Sequence, residues 1–200
     1  IIEAISIVVL RSAGVNIESE QEKVKLDLDV CELNGTLDVV IDGKVWDIKS
    51  ASPYAFSKKF GGEFGGYNKV KEDDTFGYLM QGYLYSKAKD MDFGGWIVVD
   101  KASGEWAVCE APDYQQEDST EQLAKAKSNA KTMLQDKPLK KEFKDKEETF
   151  RVQHGKRKGE IVATGNRVMH TVCGYCDYKT QCWPTAQLHK KVGTQATQRP

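Results

Sequence analysis

The chain has 200 residues, of which 40% are hydrophobic and 30% charged, which predicts one soluble globular domain with or without an appendage. No apolar run approaches the roughly 20 residues of a membrane-spanning helix and no signal peptide is visible, so we expect no membrane partner and a cytoplasmic location. The formal net charge of −1 excludes the broad basic surface of a nonspecific nucleic-acid coat protein, although a local basic groove stays compatible with it.

The first elements predicted are a helix and three antiparallel strands. Residues 1–13, an apolar run ended by a glycine, predict a mostly buried helix, and because the pattern is already under way at the first residue we expect a segment upstream of it. Residues 23–31 alternate apolar and charged side chains, as in a half-buried strand. A turn predicted at Asn34-Gly35 leads into two apolar runs around Asp42-Gly43, a strong hairpin signal.

A helix and two further strands are predicted next. Residues 50–75 predict a long loop, after which Asp73, Asp74 or Thr75 is expected to cap a helix that ends near Ala88. The dense apolar residues 94–101 predict a strand with a hairpin partner at residues 104–111.

The end of the chain is less strongly patterned. Residues 117–135 predict an amphipathic helix, while residues 136 to about 159 are lysine-rich and carry no prediction of structure. The expected fold class is therefore α/β, with a mixed α+β sheet in the order helix, three-strand meander, helix, strand. We expect a core at residues 1–135 and a C-terminal extension at residues 136–200 packed on it.

The hairpin carries two acidic residues that demand an explanation. Counting outward from Asp42-Gly43 places Asp38 directly opposite Asp47, and Lys49 shares the strand face of Asp47. An exposed, salt-bridged strand face is one interpretation, but apolar residues on both faces leave no obvious solvent side for these acids. Burying opposed carboxylates is unfavourable unless a partner compensates, and a divalent cation binds carboxylate, water and phosphate oxygens. The pattern therefore indicates metal-assisted hydrolysis of a phosphodiester.

The stretch GTLDVVIDGKVWDIKSAS resembles the core motif of the PD-(D/E)XK nuclease superfamily. In that motif an Asp on one strand is followed by Asp or Glu, any residue and Lys on the next strand, and the predicted order of elements is similar as well. The resemblance implies a Mg²⁺- or Mn²⁺-dependent deoxyribonuclease. It implies that Asp38, Asp47 and the backbone carbonyl of Ile48 ligate the metal, and that Lys49 assists the attacking water or the phosphate.

Other residues resemble the RecB-type branch, and in particular its phage exonucleases. Gln81 and Tyr85 match a Gln-x-x-x-Tyr motif, which implies that they position DNA, and Glu3 corresponds to a helical acid that supplies or supports a metal ligand. The lysines Lys58 and Lys59 are expected to contact a DNA strand. We therefore expect a DNA exonuclease that works in phage recombination or replication, in the host cytoplasm, with a recombination or replication protein as a further partner.

The same predicted loop contains aromatic residues with two interpretations. Tyr54, Phe56 and Phe60 fit base stacking on a single strand. An equally good interpretation is that Phe56 and Phe60 anchor the loop to the core.

Three cysteines in the last 30 residues predict a second bound metal. Cys173, Cys176 and Cys182 have the spacing of ligands from one wrapped loop. They resemble the C-terminal part of the iron-sulfur site in RecB-type nucleases, which implies a [4Fe-4S] cluster, with Zn²⁺ as the alternative. The fourth ligand is a residue upstream of Ile1, as the resemblance favours, or one of Cys31, Cys109 and His170.

Two other functions fit the same residues. One is an endonuclease of the same fold, which would cut circular as well as linear DNA. The other is a catalytically inactive nucleic-acid-binding module with a structural zinc site.

Overall fold

The computed structural model describes residues 1–135, 141, 143–190 and 196–199, without the side chains of residues 189, 190 and 196–199. The chain divides into two compact units, Ile1–Asp136 and Lys137–Pro200. None of the helices in these described ranges combines the length and apolarity that crossing a membrane requires.

The first unit is built on a five-stranded mixed sheet with the strand order β1-β2-β3-β4-β5. β1 (Ile17–Asp27), β2 (Glu32–Ile41) and β3 (Lys44–Ala51) form an antiparallel meander. β4 (Asp92–Asp100) runs parallel to β3, and β5 (Trp106–Glu110) is antiparallel to β4. The predicted mixed α and β class is confirmed.

Helices cover both faces of this sheet. The helix α1 (Ile2–Ser12) packs Ile7 against Val39 and Ile48 on one face. The connection after β3 contains α2 (Pro53–Ala55), a π-helical turn (Phe56–Phe60) and α3 (Tyr67–Glu72), and is followed by α4 (Tyr78–Lys89) and α5 (Gln116–Met133). α4 crosses the opposite face and connects the parallel strands β3 and β4, as a parallel pair requires.

Two sequence predictions near the start of the chain are wrong. Helix α1 is not mostly buried: only Ser6 and Ile7 are buried, and the side chain of Val8 is 63% exposed. The turn before β2 does not lie at Asn34-Gly35, which belongs to the strand, but around Asp29, whose φ is 68°. The carboxylate of Asp27 accepts a hydrogen bond from the backbone N–H of Asp29 (2.8 Å), and this stabilises the turn locally.

Gly35 has a packing role instead of a turn role. A Cβ atom at this position would lie 2.6 Å from Cε1 of Tyr85 on α4, closer than side chains approach one another. The sequence pattern cannot distinguish a glycine in a turn from a glycine that admits a neighbouring ring.

The predicted long loop at residues 50–75 is replaced by three short helical elements, so this prediction is also wrong. The hydroxyl of Ser52 caps α2 by accepting a hydrogen bond from the backbone N–H of Ala55 (3.3 Å). Phe60 is buried, with its ring centroid 6.1 Å from that of Trp96. Phe56 packs against the same apolar cluster, so both residues anchor the segment.

The second unit contains two short hairpins and two short helices. β6 (Lys146–Arg151) pairs with β7 (Ile161–Val168), and β8 (Gln187–Lys190) pairs with β9 (Ala196–Arg199). α6 (Thr171–Tyr175) and α7 (Lys179–Cys182) lie between the two hairpins in sequence. Strand β6 falls where no structure was predicted, because its residues KEETFR lack an apolar alternation.

Candidate active site

The hairpin register predicted from Asp42-Gly43 is confirmed up to its last backbone pair, Val39–Trp46. Asp38 and Asp47, the next residues outward, do not form a backbone pair, so the prediction that they lie directly opposite in the ladder is wrong. The carboxylate of Asp38 instead accepts a hydrogen bond from the backbone N–H of Ile48 (2.6 Å). The side chain of Asp38 thus occupies the position where backbone pairing with β3 would continue.

The alternation of faces along β2 is interrupted around Asp38. Leu37 and Val40 pack in one apolar cluster below α4, although strict alternation would place residues three apart on opposite faces. Val39 packs on the other face, against α1. The pairing of β2 with β1 also omits Asp38, and Gln21, the residue skipped on β1, has a left-handed φ of 48°. The position of the Asp38 carboxylate is therefore set by this irregularity and not by the strand period.

Asp47 and Lys49 form an ion pair beside α4. The Asp47 side chain is 1% exposed, and its two oxygens lie 2.9 and 2.8 Å from Nζ of Lys49. The same Nζ donates to Oε1 of Gln81 (2.8 Å). Burial raises the pKa of Asp47, and the attraction of Lys49 opposes that rise. Lys49 thus contacts both Asp47 and Gln81, two of the other residues predicted for the site.

Asp38 lies between two other carboxyl groups. Its pKa is raised to about 8, mainly by burial and in addition by the hydrogen bond with Glu3 and the repulsion from Asp47. Glu3 reaches this position from α1, where Gln21 donates a hydrogen bond from Nε2 to its carboxylate. The sequence does not indicate this role of Gln21, because the contact depends on the left-handed backbone of Gln21 within β1. Three acids from α1, β2 and β3 therefore meet near Lys49.

The chemistry of these donors fits a hard divalent cation. Mg²⁺ in proteins is commonly held by one or two carboxylates, with waters and phosphate oxygens completing its coordination, so Asp38 and Asp47 suffice as protein ligands. As the side chains stand, however, the described residues contain no group of three His, Cys, Asp or Glu that is ready to hold a metal ion. The third acid of the site, Glu3, already accepts a hydrogen bond from Gln21.

The predicted pair Gln81 and Tyr85 has two different environments. Gln81 contacts Lys49, as described above. Tyr85 packs in the apolar cluster of Val24 and Val40 and fills the space above Gly35. Packing of the ring on the apolar core accounts for this contact, and a role of Tyr85 in positioning DNA stays a prediction.

The predicted lysines lie beside aromatic rings. Nζ of Lys59 lies 5.4 Å from the ring centroid of Tyr78, donates to the backbone carbonyl of Asp73 and lies 3.7 Å from the carboxylate of that residue. Nζ of Lys58 lies 4.3 Å from the ring centroid of Phe64. Tyr78, which the sequence analysis did not single out, lies 5.5 Å from Nζ of Lys49. Its position three residues before Gln81 on one helix face was the available signal.

The three clustered cysteines lie in the second unit with their thiols free. Cys173 is buried in an apolar cluster with Met169 and Trp183, and Cys182 packs against that cluster. Cys176 is half-buried at the end of α6. Within the described ranges these thiols do not form a group of three ligands ready to hold a metal ion.

The candidate fourth ligands have other partners. Cys31 packs against the cluster of Leu28. Cys109 is buried in the core of the first unit, and burial raises the pKa of its thiol to about 12, which disfavours a metal-binding thiolate. Nδ1 of His170 accepts from the N–H of Val172 (3.4 Å), and its ring stacks on Phe143 at 4.6 Å. A ligand upstream of Ile1 lies outside the chain described.

The acids, the lysine and the glutamine come from four different elements, α1, β2, β3 and α4. Such convergence of titratable groups with a perturbed pKa is typical of functional sites. No family model, curated protein or solved structure matches this chain.

Proposed function

We propose that the first unit is a Mg²⁺- or Mn²⁺-dependent deoxyribonuclease of the PD-(D/E)XK type, within the RecB-type branch. Its proposed activity is that of an exonuclease in phage recombination or replication, alongside a partner protein of that process. The observation that carries the proposal is the meeting of Asp38 and Asp47 beside Lys49 at the break in strand β2. Packing alone does not favour an acid with a pKa near 8 at this position, whereas a site for a cation does.

The residues of the chain have separate roles in this mechanism. A bound Mg²⁺ or Mn²⁺ would polarise the phosphate and lower the pKa of a coordinated water. Asp38, Asp47 and the backbone carbonyl of Ile48 would hold the metal, with Glu3 in support. Lys49, fixed between Asp47 and Gln81, would stabilise the negative charge that develops on the phosphate. Gln81 limits the rotamers of Lys49 and is a positioning residue.

An assay with end-labelled linear DNA tests this proposal. We expect cleavage with Mg²⁺, none with EDTA, and none by the Lys49→Ala variant. The matched control is Lys87→Ala, which removes an exposed lysine from α4 and should cleave like the wild type. Full activity of a folded Lys49→Ala protein would refute the assignment, and cleavage of circular DNA would indicate an endonuclease.

A nucleic-acid-binding module without catalysis is the second candidate. The lack of a ready three-ligand metal group among the described residues favours it. Such a module would bind DNA but hydrolyse no DNA at any Mg²⁺ or Mn²⁺ concentration, so the same assay separates the two functions.

For the second unit the proposal is a [4Fe-4S] cluster, with Zn²⁺ as the alternative, held by Cys173, Cys176 and Cys182. The contact of Cys173 and Cys182 with one apolar cluster supports the proposal. Iron and zinc analysis of the purified protein, with its visible absorption spectrum, decides between the two metals. Loss of the metal in Cys176→Ser, with retention in Cys31→Ser, is expected, and a metal-free wild type would contradict it.

A further inference from the structure

The segment between β3 and α4 exposes aromatic rings beside lysines. The side chains of Tyr54 and Phe64 are 77% and 61% exposed. Lys58 lies with Nζ 4.3 Å from the ring centroid of Phe64, and no described carboxylate forms an ion pair with it. Rings of this size are normally buried, because each removes a large apolar area from water. Exposed rings with an adjacent uncompensated cation therefore indicate a binding surface for a polyanion with apolar faces.

This surface continues to the acids of the candidate active site. Tyr78 is the link, because Nζ of Lys49 and Nζ of Lys59 lie 5.5 and 5.4 Å from the centroid of its ring. Lys59 directly precedes Phe60, the buried anchor of the segment, and directly follows Lys58. Contacts thus connect Lys49 and Lys59 through the ring of Tyr78, and the chain continues from Lys59 to its sequence neighbour Lys58, which contacts Phe64. We name the set formed by Tyr54, Lys58, Lys59, Phe64 and Tyr78 the aromatic-lysine strip.

The segment that carries the strip is anchored to the core. Phe60 packs 5.5 Å from Tyr78 and 6.1 Å from Trp96, measured between ring centroids. The hydroxyl of Ser52 caps the start of α2, the short helix that contains Tyr54. An anchored segment loses less conformational entropy on binding than a mobile one, which favours the binding of a ligand to its side chains.

We infer that the aromatic-lysine strip binds an unpaired DNA strand, so that the substrate entering the candidate active site is single-stranded DNA or a frayed end. This inference rests on the proposed nuclease function. Unpaired bases can stack on exposed aromatic rings, whereas the bases of a duplex are already stacked and paired. The ammonium group of Lys58 contacts the phosphates without reading sequence, whereas that of Lys59 pairs with Asp73. We therefore expect the protein to prefer single-stranded over duplex DNA and to show no preference for base sequence.

Binding measured without turnover tests the inference. Fluorescence anisotropy in EDTA compares a labelled fifteen-nucleotide oligothymidine with a blunt duplex of the same length. We expect the single strand to bind at least about tenfold more tightly, and Phe64→Ala or Tyr54→Ala to weaken its binding about tenfold. Tyr114→Ala is the matched control, since Tyr114 is 79% exposed but lies between β5 and α5.

An abasic strand separates stacking from charge. It keeps the phosphates, so we expect Phe64→Ala to bind it as the wild type does, while Lys58→Ala binds it more weakly. Equal affinity of the wild type for duplex and single strand would overturn the inference. So would a Tyr54→Ala/Phe64→Ala protein that binds oligothymidine like Tyr114→Ala.

A small phosphodiester distinguishes this inference from the proposed function. Bis(p-nitrophenyl) phosphate is too small to span the strip, so its hydrolysis by the wild-type protein with Mn²⁺ reports on the acids of the candidate active site alone. If the wild type hydrolyses it but the strip variants bind single strands normally, the inference fails and the nuclease stands. If nothing hydrolyses it but strip variants lose single-strand binding, the nuclease fails and the binding surface stands.

Discussion

Replacing Asp38 by Asn should stabilise the protein in the absence of metal. Asn keeps an oxygen that accepts the hydrogen bond from the N–H of Ile48, so the geometry is preserved while the charge is removed. Asp38 has a pKa near 8 in the folded protein, because burial and the nearby carboxyls disfavour its ionised form. Above that pH its ionisation opposes folding, and the Asn variant avoids this cost.

The sign of the pH dependence follows from linkage. In the unfolded chain Asp38 ionises near 3.8, whereas in the folded protein it stays protonated up to about pH 8. The folded state therefore binds more protons between these values, and this contribution to the free energy of unfolding falls as the pH rises. The advantage of Asp38→Asn over the wild type should be absent near pH 4, grow with pH and level off above pH 8.

The size of the effect is bounded by the same values. A pKa moved from 3.8 to about 8 corresponds to roughly 6 kcal/mol in full. Asp38 is half-buried and shares its environment with two other carboxyls, so screening lowers the expected gain to about 1–2 kcal/mol.

Urea unfolding in EDTA at pH 5, 7 and 9 measures this difference. The control is Asp29→Asn, because Lys127 lowers the pKa of Asp29 and the opposite sign is expected there. Mg²⁺ should raise the melting temperature of the wild type but not that of Asp38→Asn. A pH-independent difference, or an Asp38→Asn protein less stable than the wild type at pH 9, would refute the reasoning.

Three further predictions concern packing and positioning. Gly35→Ala should lower the free energy of unfolding by about 2–3 kcal/mol, because the new Cβ meets the ring of Tyr85. The double variant Gly35→Ala/Tyr85→Ala should lose less than the sum of the two single variants, and strictly additive losses in urea unfolding would contradict this. Tyr67→Phe removes the hydroxyl that bonds Tyr83 (2.6 Å) and Asp118, so we expect a loss of about 1–2 kcal/mol, and an unchanged melting temperature would speak against it. Gln81→Ala frees Lys49 and should lower kcat about 10- to 100-fold with DNA affinity unchanged, whereas a loss of affinity alone would argue for a role in binding.

Local patterns determined much of the first unit. The Asp-Gly turn fixes the register of β2 and β3 up to Val39–Trp46, because a two-residue hairpin leaves only one way to count outward. The helix at α4 follows from its apolar spacing and its acidic cap, since Asp74 accepts from the N–H groups of Tyr78 and Leu79. The contact of Asp47 with Lys49 follows from residues two apart on one strand face.

The tertiary structure decided the features that depend on residues distant in sequence. Asn34-Gly35 is a pair typical of turns, but Gly35 lies in a strand, where the lack of a side chain admits the ring of Tyr85 from α4. The irregularity at Asp38 depends on the left-handed Gln21 of β1, which also holds Glu3 of α1. Strand periodicity carries no information about such contacts, because it describes the direction of side chains along one element and not the partners that other elements bring to it. The sequence by itself therefore identified the candidate acids, and only the packing of α1, β1 and α4 around them decided how they are arranged.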